Sequence, residues 1–239
     1  MAMPRRQTVD PLIRAQVIAA WGNQCWLGMP GCRITATEDD HIIPYAHGGK
    51  DTVTNLRRAC KHCNAARQDR VLSGYGATLH AVIGPPRADF TGYLTGLVGR
   101  DSVVVSFDSL IRDIYPLPDP PDGVRLAAAM AWDGAYRALA KCGQPLDIWL
   151  VRTLPRSRRH PDMLGEWLAL DYDIHVVETP ADATFDLDLT PREYRAAQQW
   201  YAMRITQRMV DARALQRRQR LASLGLRASD GQPAGRPAW

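Results

Sequence analysis

The stretch that decides the fold of the first part of the chain is EDDHIIPYAHGGKDTVTNLRRACKHCN, residues 38–64. In it, Asp40-His41 come directly before the apolar run Ile-Ile-Pro, which predicts that both polar side chains lie at the end of a strand. Gly48-Gly49 predict a turn, and Asn55 precedes the next element. A soluble core requires none of these polar residues in this order, so the segment indicates a functional site.

Cysteines form two spaced pairs, Cys25-x6-Cys32 before this stretch and Cys60-x2-Cys63 at its end. In a reducing compartment such clustering favours a metal over disulfides. Four thiolates on two turns fit a tetrahedral structural zinc site, which also supplies folding energy to a segment too short for its own core. We therefore predict structural Zn²⁺ at these four cysteines; the alternative is a set of buried free thiols.

The order of these residues, from the first cysteine pair through Asp-His-Ile-x-Pro, Gly-Gly and Asn-Leu to Cys-x-x-Cys-Asn, resembles the HNH endonuclease family over about residues 21–70. The resemblance implies a ββα-metal fold, in which a β-hairpin and a helix surround one divalent ion. It also implies hydrolysis of DNA phosphodiester bonds that leaves 5′-phosphate and 3′-hydroxyl ends.

The resemblance assigns roles to four residues of this chain. His41 is the expected general base, because imidazole titrates near neutral pH. Asp40 and Asn64 are the expected ligands of a catalytic Mg²⁺ or Mn²⁺, since hard cations prefer oxygen donors. Asn55 is expected to orient His41. The family often has His where this chain has Asn64, and the amide oxygen shifts the metal preference toward harder ions; Asn64 as a helix cap is the alternative.

Charge is segregated along the chain. Residues 1–70 carry ten Lys/Arg against six Asp/Glu, residues 71–189 ten against sixteen, and residues 190–239 ten against three. Basic ends around an acidic middle favour contact with a phosphate-rich partner, here DNA, at the ends. Five residues near the second cysteine pair are candidates for salt-dependent contacts to the DNA backbone: Arg57, Arg58, Lys61, Arg67 and Arg70.

The middle of the chain, residues 76–189, alternates short apolar runs with helical segments, which predicts an α/β domain with a parallel sheet. The expected strands are residues 79–84, 102–107, 147–151 and 173–177. The segment from Gly84 to Thr91 is similar to the phosphate-binding loop of P-loop kinases and ATPases, whose pattern is G-x-x-x-x-G-K-[ST]. Asp89 replaces its second glycine and Phe90 its lysine, so we expect a degenerate P-loop-like domain without nucleotide hydrolysis.

The expected architecture is therefore an α+β HNH module at residues 1–72, beginning with a helix at 10–21, followed by the P-loop-like domain. A long basic helix at 190–225 and a flexible tail at 226–239 complete it. No apolar run approaches the roughly 20 residues of a membrane span, and the chain begins without an apolar signal segment. We expect no membrane association and a cytoplasmic location.

Two alternatives to the nuclease hypothesis stay open. One is a catalytically silent, zinc-stabilised DNA-binding or scaffold protein, and the other is a polynucleotide-kinase-like enzyme that uses the middle domain. Architectures of this kind occur in phage and bacteria, so a phage packaging machine or another protein is an expected partner besides DNA.

Overall fold

The computed structural model describes residues 8–140, 145–157 and 160–224. The chain divides into two compact units: the first runs to Val71 and includes the segment that starts at Arg218, and the second runs from Leu72 to Arg217. The expected tail at 226–239 lies outside the described residues.

The first unit is built on a helix and a hairpin. Helix α1 spans Pro11–Trp21, with Pro11 at its first position and the Asp10 carboxylate accepting a hydrogen bond from the Leu12 N–H. Both features favour a helix start at this point of the sequence, and a helix at 10–21 was expected. Val17 is the buried residue of α1 and packs with Val9 and Leu56.

The hairpin and the helix that follows it form a ββα arrangement. Strands β1 (Glu38–His41) and β2 (Leu56–Ala59) pair antiparallel, with His41 opposite Leu56. Helix α2 spans Lys61–Arg67 and begins within the second cysteine pair. The strand end predicted after His41 is confirmed, because β1 ends at that residue.

The second unit contains a four-stranded parallel sheet in the order β4-β5-β3-β6. Its strands are β3 (Thr78–Ile83), β4 (Ser102–Ser106), β5 (Asp147–Arg152) and β6 (Asp173–Val176). Apolar side chains of the central strands β3 and β5 are fully buried, as expected when helices cover both faces of a parallel sheet. The four strands and the parallel sheet predicted from the sequence are confirmed.

Helices connect these strands, and one more helix follows the last strand. They are α3 (Phe90–Leu94), α4 (Phe107–Ile114), α5 (Asp122–Ala140), α6 (Met163–Ala169) and α7 (Ala181–Phe185). Helix α5, at 19 residues, is much longer than the other four.

The single long helix predicted at the carboxyl-terminal end is wrong: two helices occupy that region. Helix α8 spans Pro191–Met203 and α9 spans Gln207–Ser223. The chain turns at Arg204, which adopts a left-handed conformation with φ 50°. Thr206 then accepts a hydrogen bond from the Met209 N–H, and the Gln207 side chain bonds to the backbone of β6. These local bonds favour a new helix start over continuation.

Within residues 8–140, 145–157 and 160–224, every helix is too short or too polar to cross a bilayer.

Candidate active site and zinc centre

The four paired cysteines meet in one cluster. The sulfur atoms of Cys25, Cys32, Cys60 and Cys63 all lie within 4.8 Å of one another. Backbone N–H groups donate to two of these sulfurs, from Ile34 to Cys32 and from Cys63 to Cys60, each at 3.4 Å. This donor set and spacing fit a structural zinc ion.

The thiols interact with one another strongly. A hydrogen bond from the Cys63 thiol lowers the pKa of Cys25 to about 4, and the same interaction raises the pKa of Cys63. A bound Zn²⁺ ionises coordinating thiols outright, so it would remove this competition for protons.

The end of helix α9 also contacts the zinc loop. The Arg220 guanidinium donates to the Cys25 carbonyl oxygen at 2.5 Å. Arg220 also lies where a side chain at Gly28 would be, since a Cβ on Gly28 would meet its Nη1. From the sequence, Arg220 was only one of several cations of a basic helix. In the structure it has a specific contact with the backbone of the zinc loop.

His41 is almost completely buried at the end of β1, with 5% of its side chain exposed. Its Nε2 lies 2.6 Å from Oδ1 of Asp51, and the Tyr45 ring lies edge-on at 6.1 Å between centroids. Asp51 is about one-third exposed, so this pair lies at the boundary between protein and solvent. A carboxylate on one imidazole nitrogen fixes the tautomer and leaves the other nitrogen to act.

Asn55 holds the loop that connects the two strands. Its Oδ1 accepts from the Ile43 N–H at 2.9 Å, and its Nδ2 donates to the carbonyl oxygens of Ile43 and Lys50. A Cβ on Gly49 would come within 1.8 Å of the Ile43 carbonyl oxygen and 2.9 Å of Asn55 Nδ2. Asn55 therefore contacts the loop that leads from His41 to Asp51, and the hydrogen bonds of its side chain go to backbone groups of that loop.

Asp40 lies in a buried ion pair. Its Oδ2 accepts from Arg67 Nη1 at 2.6 Å and from the Trp26 indole N–H at 2.9 Å. The Arg67 side chain is fully buried and also donates to the carbonyl oxygens of His41 and Ile42. Burial raises the pKa of the Asp40 carboxyl, and the charge of Arg67 acts in the opposite direction.

Asn64 lies within α2 and pairs with β1. Its Nδ2 donates to Oε2 of Glu38 at 2.6 Å. Glu38 and Asp40 are two residues apart on β1 and so share a face. The structure thus brings together Asp40 with Arg67, Asn64 with Glu38, and His41 with Asp51.

The donors at these positions fit a hard divalent ion in their chemistry. Within the described ranges, Asp40 Oδ1 and Asn64 Oδ1 have no hydrogen-bond partner, because the contacts above use the other atom of each group. The same ranges contain no group of three His, Cys, Asp or Glu residues with mutually close donor atoms that includes Asp40 or His41. A metal held here would thus need water or substrate oxygens to complete its coordination.

The five basic residues near the second cysteine pair occupy different environments. Arg58 and Arg70 are buried like Arg67: Arg58 binds Asp39 at 2.5 Å, and Arg70 donates to the Ala66 carbonyl oxygen. Lys61 is exposed, and the Arg57 guanidinium lies 3.8 Å from the centroid of the Trp21 ring. Three of the five therefore stabilise the unit from within.

Sequence reasoning did not identify Asp51, Glu38 or Trp26 as part of the site. Asp51 carries one local signal, its position just after the Gly48-Gly49 turn in a segment that returns toward β2. Glu38 shares the alternation of β1 with Asp40, which places it on the same face. Trp26 follows Cys25 directly but meets Asp40 through tertiary contact alone.

Comparison with known proteins gives one match. Residues 25–70 match the family model described as HNH endonuclease. The chain matches no curated protein and no solved structure. The matched segment contains both cysteine pairs, the hairpin and α2. The amino-terminal unit of this chain therefore contains a segment that matches the HNH endonuclease family, with four cysteines at zinc-binding distance.

Proposed function

We propose that this protein is a metal-dependent DNA endonuclease of the HNH type in which His41 is the general base. The observation that carries the proposal is the 2.6 Å contact between His41 Nε2 and Asp51 Oδ1 at the end of β1, inside the segment that matches the family. An imidazole oriented by a carboxylate is the arrangement that general-base catalysis requires.

In this mechanism His41 takes a proton from the attacking water. Asp51 accepts from Nε2–H, so Nδ1 carries the free lone pair and is the atom that removes the proton. As Nδ1 gains that proton, the imidazole becomes positive and the adjacent Asp51 carboxylate stabilises it. Such a base contributes about 10²–10⁴-fold to the rate.

Asp40 and Asn64 are the residues that would hold the catalytic Mg²⁺ or Mn²⁺, through the oxygens that their hydrogen bonds leave open. When bound, a divalent ion supplies charge stabilisation at the scissile phosphate and at the leaving oxygen. Asn55 acts at a distance in this proposal, because it holds the loop on which Asp51 lies.

DNA would meet the exposed charge of the unit. Lys61, at the start of α2, is open to solvent. Arg57, four residues earlier on β2, is half-buried with its guanidinium on Trp21. We assign phosphate contact to these two side chains and a structural role to Arg58, Arg67 and Arg70. Contacts of this kind position the duplex without reading its sequence.

A plasmid-nicking assay with the full chain tests the proposal. Wild type with Mg²⁺ or Mn²⁺ should nick supercoiled DNA, and His41→Ala should lose about 10²–10⁴-fold of that activity while keeping its zinc. His160→Ala, which removes an imidazole of the second unit, is the matched control and should cut normally. Nicks that DNA ligase reseals establish 5′-phosphate and 3′-hydroxyl ends. Equal cutting by wild type and His41→Ala overturns the assignment.

One observation favours a second candidate, a catalytically silent DNA-binding scaffold. The Asp40 carboxylate is already neutralised by Arg67 in the interior. If a zinc-loaded, folded wild type binds DNA but does not nick it whichever divalent metal is added, this candidate is supported over the nuclease.

For the second unit we propose a P-loop-like domain that does not bind ATP. The parallel order β4-β5-β3-β6 and the loop after β3 support the likeness. Asp89 caps α3 by accepting from the Gly92 N–H, and Phe90 packs against a core cluster that includes Trp149. With these two side chains in the positions of glycine and lysine, the loop lacks the lysine that neutralises phosphate charge in such loops. The guanidinium of its Arg87 is paired with Glu193 at 2.6 Å. Saturable ATP binding would revive the kinase-like alternative.

The biological role follows from the resemblance alone. We propose a cytoplasmic nuclease of phage or bacterial origin, acting in packaging, homing or defence with a protein partner. Copurification of the tagged full chain from its host distinguishes these roles.

A further inference from the structure

A second group of metal-ligating side chains lies on the parallel sheet of the second unit. It consists of His80 on β3 and of Asp173 and His175 on β6. The strand register places His80 opposite Asp173, and His175 is two residues further along β6. All three side chains therefore project from the same face of the sheet.

The three donor atoms form a small triangle. His80 Nδ1 lies 3.2 Å from Asp173 Oδ2, His175 Nε2 lies 3.0 Å from the same oxygen, and the two nitrogens are 3.4 Å apart. Ligands about 2.0–2.1 Å from a tetrahedral zinc ion are separated by about 3.3 Å. The triangle thus has the size of three ligand positions around one first-row divalent ion.

Each imidazole also has a polar group at its other nitrogen. His175 Nδ1 lies 3.1 Å from the Tyr93 hydroxyl, and His80 Nε2 lies 4.0 Å from Oδ1 of Asp147. Metal-binding histidines usually donate their second N–H to such a partner, which fixes the tautomer and the ring orientation. Here Tyr93 takes that place directly, and Asp147 stands just beyond hydrogen-bond distance.

Packing fixes one of the two rings. The Trp149 ring stacks on His80 at 4.0 Å between centroids, with an 8° angle between the planes. Trp149 also lies 5.2 Å from the His175 ring, and its buried Nε1–H has no hydrogen-bond partner within the described residues. Rigid imidazoles reduce the ordering cost of binding an ion.

The cluster is open on one side. The exposed fractions of the side chains are 14% for His80, 20% for His175 and 60% for Asp173. An ion can therefore enter from solvent and keep at least one coordination position for water. Two imidazoles and one carboxylate are donors that suit Zn²⁺.

We propose that His80, Asp173 and His175 form a second metal site, with Zn²⁺ as its occupant. This site is independent of the HNH assignment, because its residues all belong to the second unit. Its open position is suited to water or to an anionic ligand.

Metal analysis of the full chain tests this site. Wild type dialysed after zinc loading should retain two equivalents, one at the cysteines and one here. His80→Gln and His175→Gln should each retain one, whereas the control His160→Gln should retain two. Unchanged thermal unfolding of the variants without added zinc shows that they fold.

Cobalt substitution distinguishes the two sites directly. Cobalt bound by thiolates shows intense charge-transfer absorption, and cobalt bound by imidazole and carboxylate does not. We expect wild type to bind a second cobalt equivalent without additional charge-transfer intensity, and His80→Gln/His175→Gln to lack it. Binding through thiolates alone, or a second equivalent that persists in the double variant, overturns the proposal; the trio would then be two imidazoles hydrogen-bonded to one carboxylate.

Discussion

His41 and Asp51 are joined by a contact of 2.6 Å between Nε2 and Oδ1, although nine residues of loop lie between them in the sequence. The loop between them is held by Asn55 through the backbone of Ile43 and Lys50. The orientation of the His41 imidazole thus depends on the whole loop. Substitutions in this loop can therefore test the role of His41.

Replacing Asp51 with Asn should lower kcat without changing KM. The amide still accepts from Nε2–H but does not stabilise the positive imidazole that forms when His41 takes a proton. We expect a loss smaller than the roughly 10²–10⁴-fold effect of removing the base itself. Steady-state cleavage of a short duplex measures both constants. Asp69→Asn, which removes another carboxylate of the same unit, is the control, and an equal loss there would contradict a positioning role for Asp51.

The buried pair of Asp40 and Arg67 should show strong coupling. Arg67→Met leaves an unpaired carboxylate in the interior, which costs about 3–5 kcal/mol of unfolding free energy. Asp40→Asn in the same chain removes that charge and should recover part of the loss. Urea unfolding of the zinc-loaded single and double variants measures the cycle.

Lys61→Met provides the matched control, since it removes an exposed cation from the same helix. Its effect should stay within about 0.5 kcal/mol. A double variant no more stable than Arg67→Met alone would show that the cost comes from lost packing and not from an unpaired charge.

Removing zinc should unfold the first unit and spare the sheet of the second. Structural zinc contributes about 10–16 kcal/mol in small domains, which matches or exceeds the whole stability of a typical domain, about 5–15 kcal/mol. After chelation, amide NMR signals of residues 24–67 should lose their dispersion, while those of β3 and β5 should stay. Cys63→Ser should behave like the chelated protein.

Cys142→Ser separates this effect from a general need for thiols, because Cys142 is the one cysteine outside the two pairs in the sequence. It should retain the zinc of the four-cysteine cluster and a dispersed spectrum. Retention of the hairpin signals in fully chelated wild type would show that the first unit is stable without the ion.

Local sequence signals predicted the elements that position the site. Asp10 and Pro11 mark the start of α1, the apolar run after His41 marks the end of β1, and the cysteine spacing marks the zinc cluster. Each of these depends on neighbouring residues along the chain, where patterns of turn, cap and alternation apply.

Contacts between residues that are distant in the sequence could not be predicted from such local patterns. Arg67 is one of several arginines in a basic segment, and nothing in its sequence neighbourhood shows that its side chain is buried against Asp40. The break between α8 and α9 depends on Gln207 reaching the backbone of β6, a partner about thirty residues away. Charge alone could not separate the structural arginines from Arg57, which we propose contacts DNA.

Gly49→Ala should disrupt the loop between His41 and Asp51. The new Cβ would lie 1.8 Å from the Ile43 carbonyl oxygen, and the backbone on both sides must move to relieve the clash. That oxygen accepts from Asn55, so the displacement breaks the bonds that place Asp51 at His41. We expect nicking to fall at least as far as in Asp51→Asn, with the zinc content unchanged.

Gly134→Ala, in a helix where the added Cβ meets nothing within 4 Å, should leave nicking intact and stabilise α5 by about 0.8–1.0 kcal/mol. Normal nicking by Gly49→Ala would show that the loop tolerates the shift, and that catalysis does not depend on the Asn55 contacts.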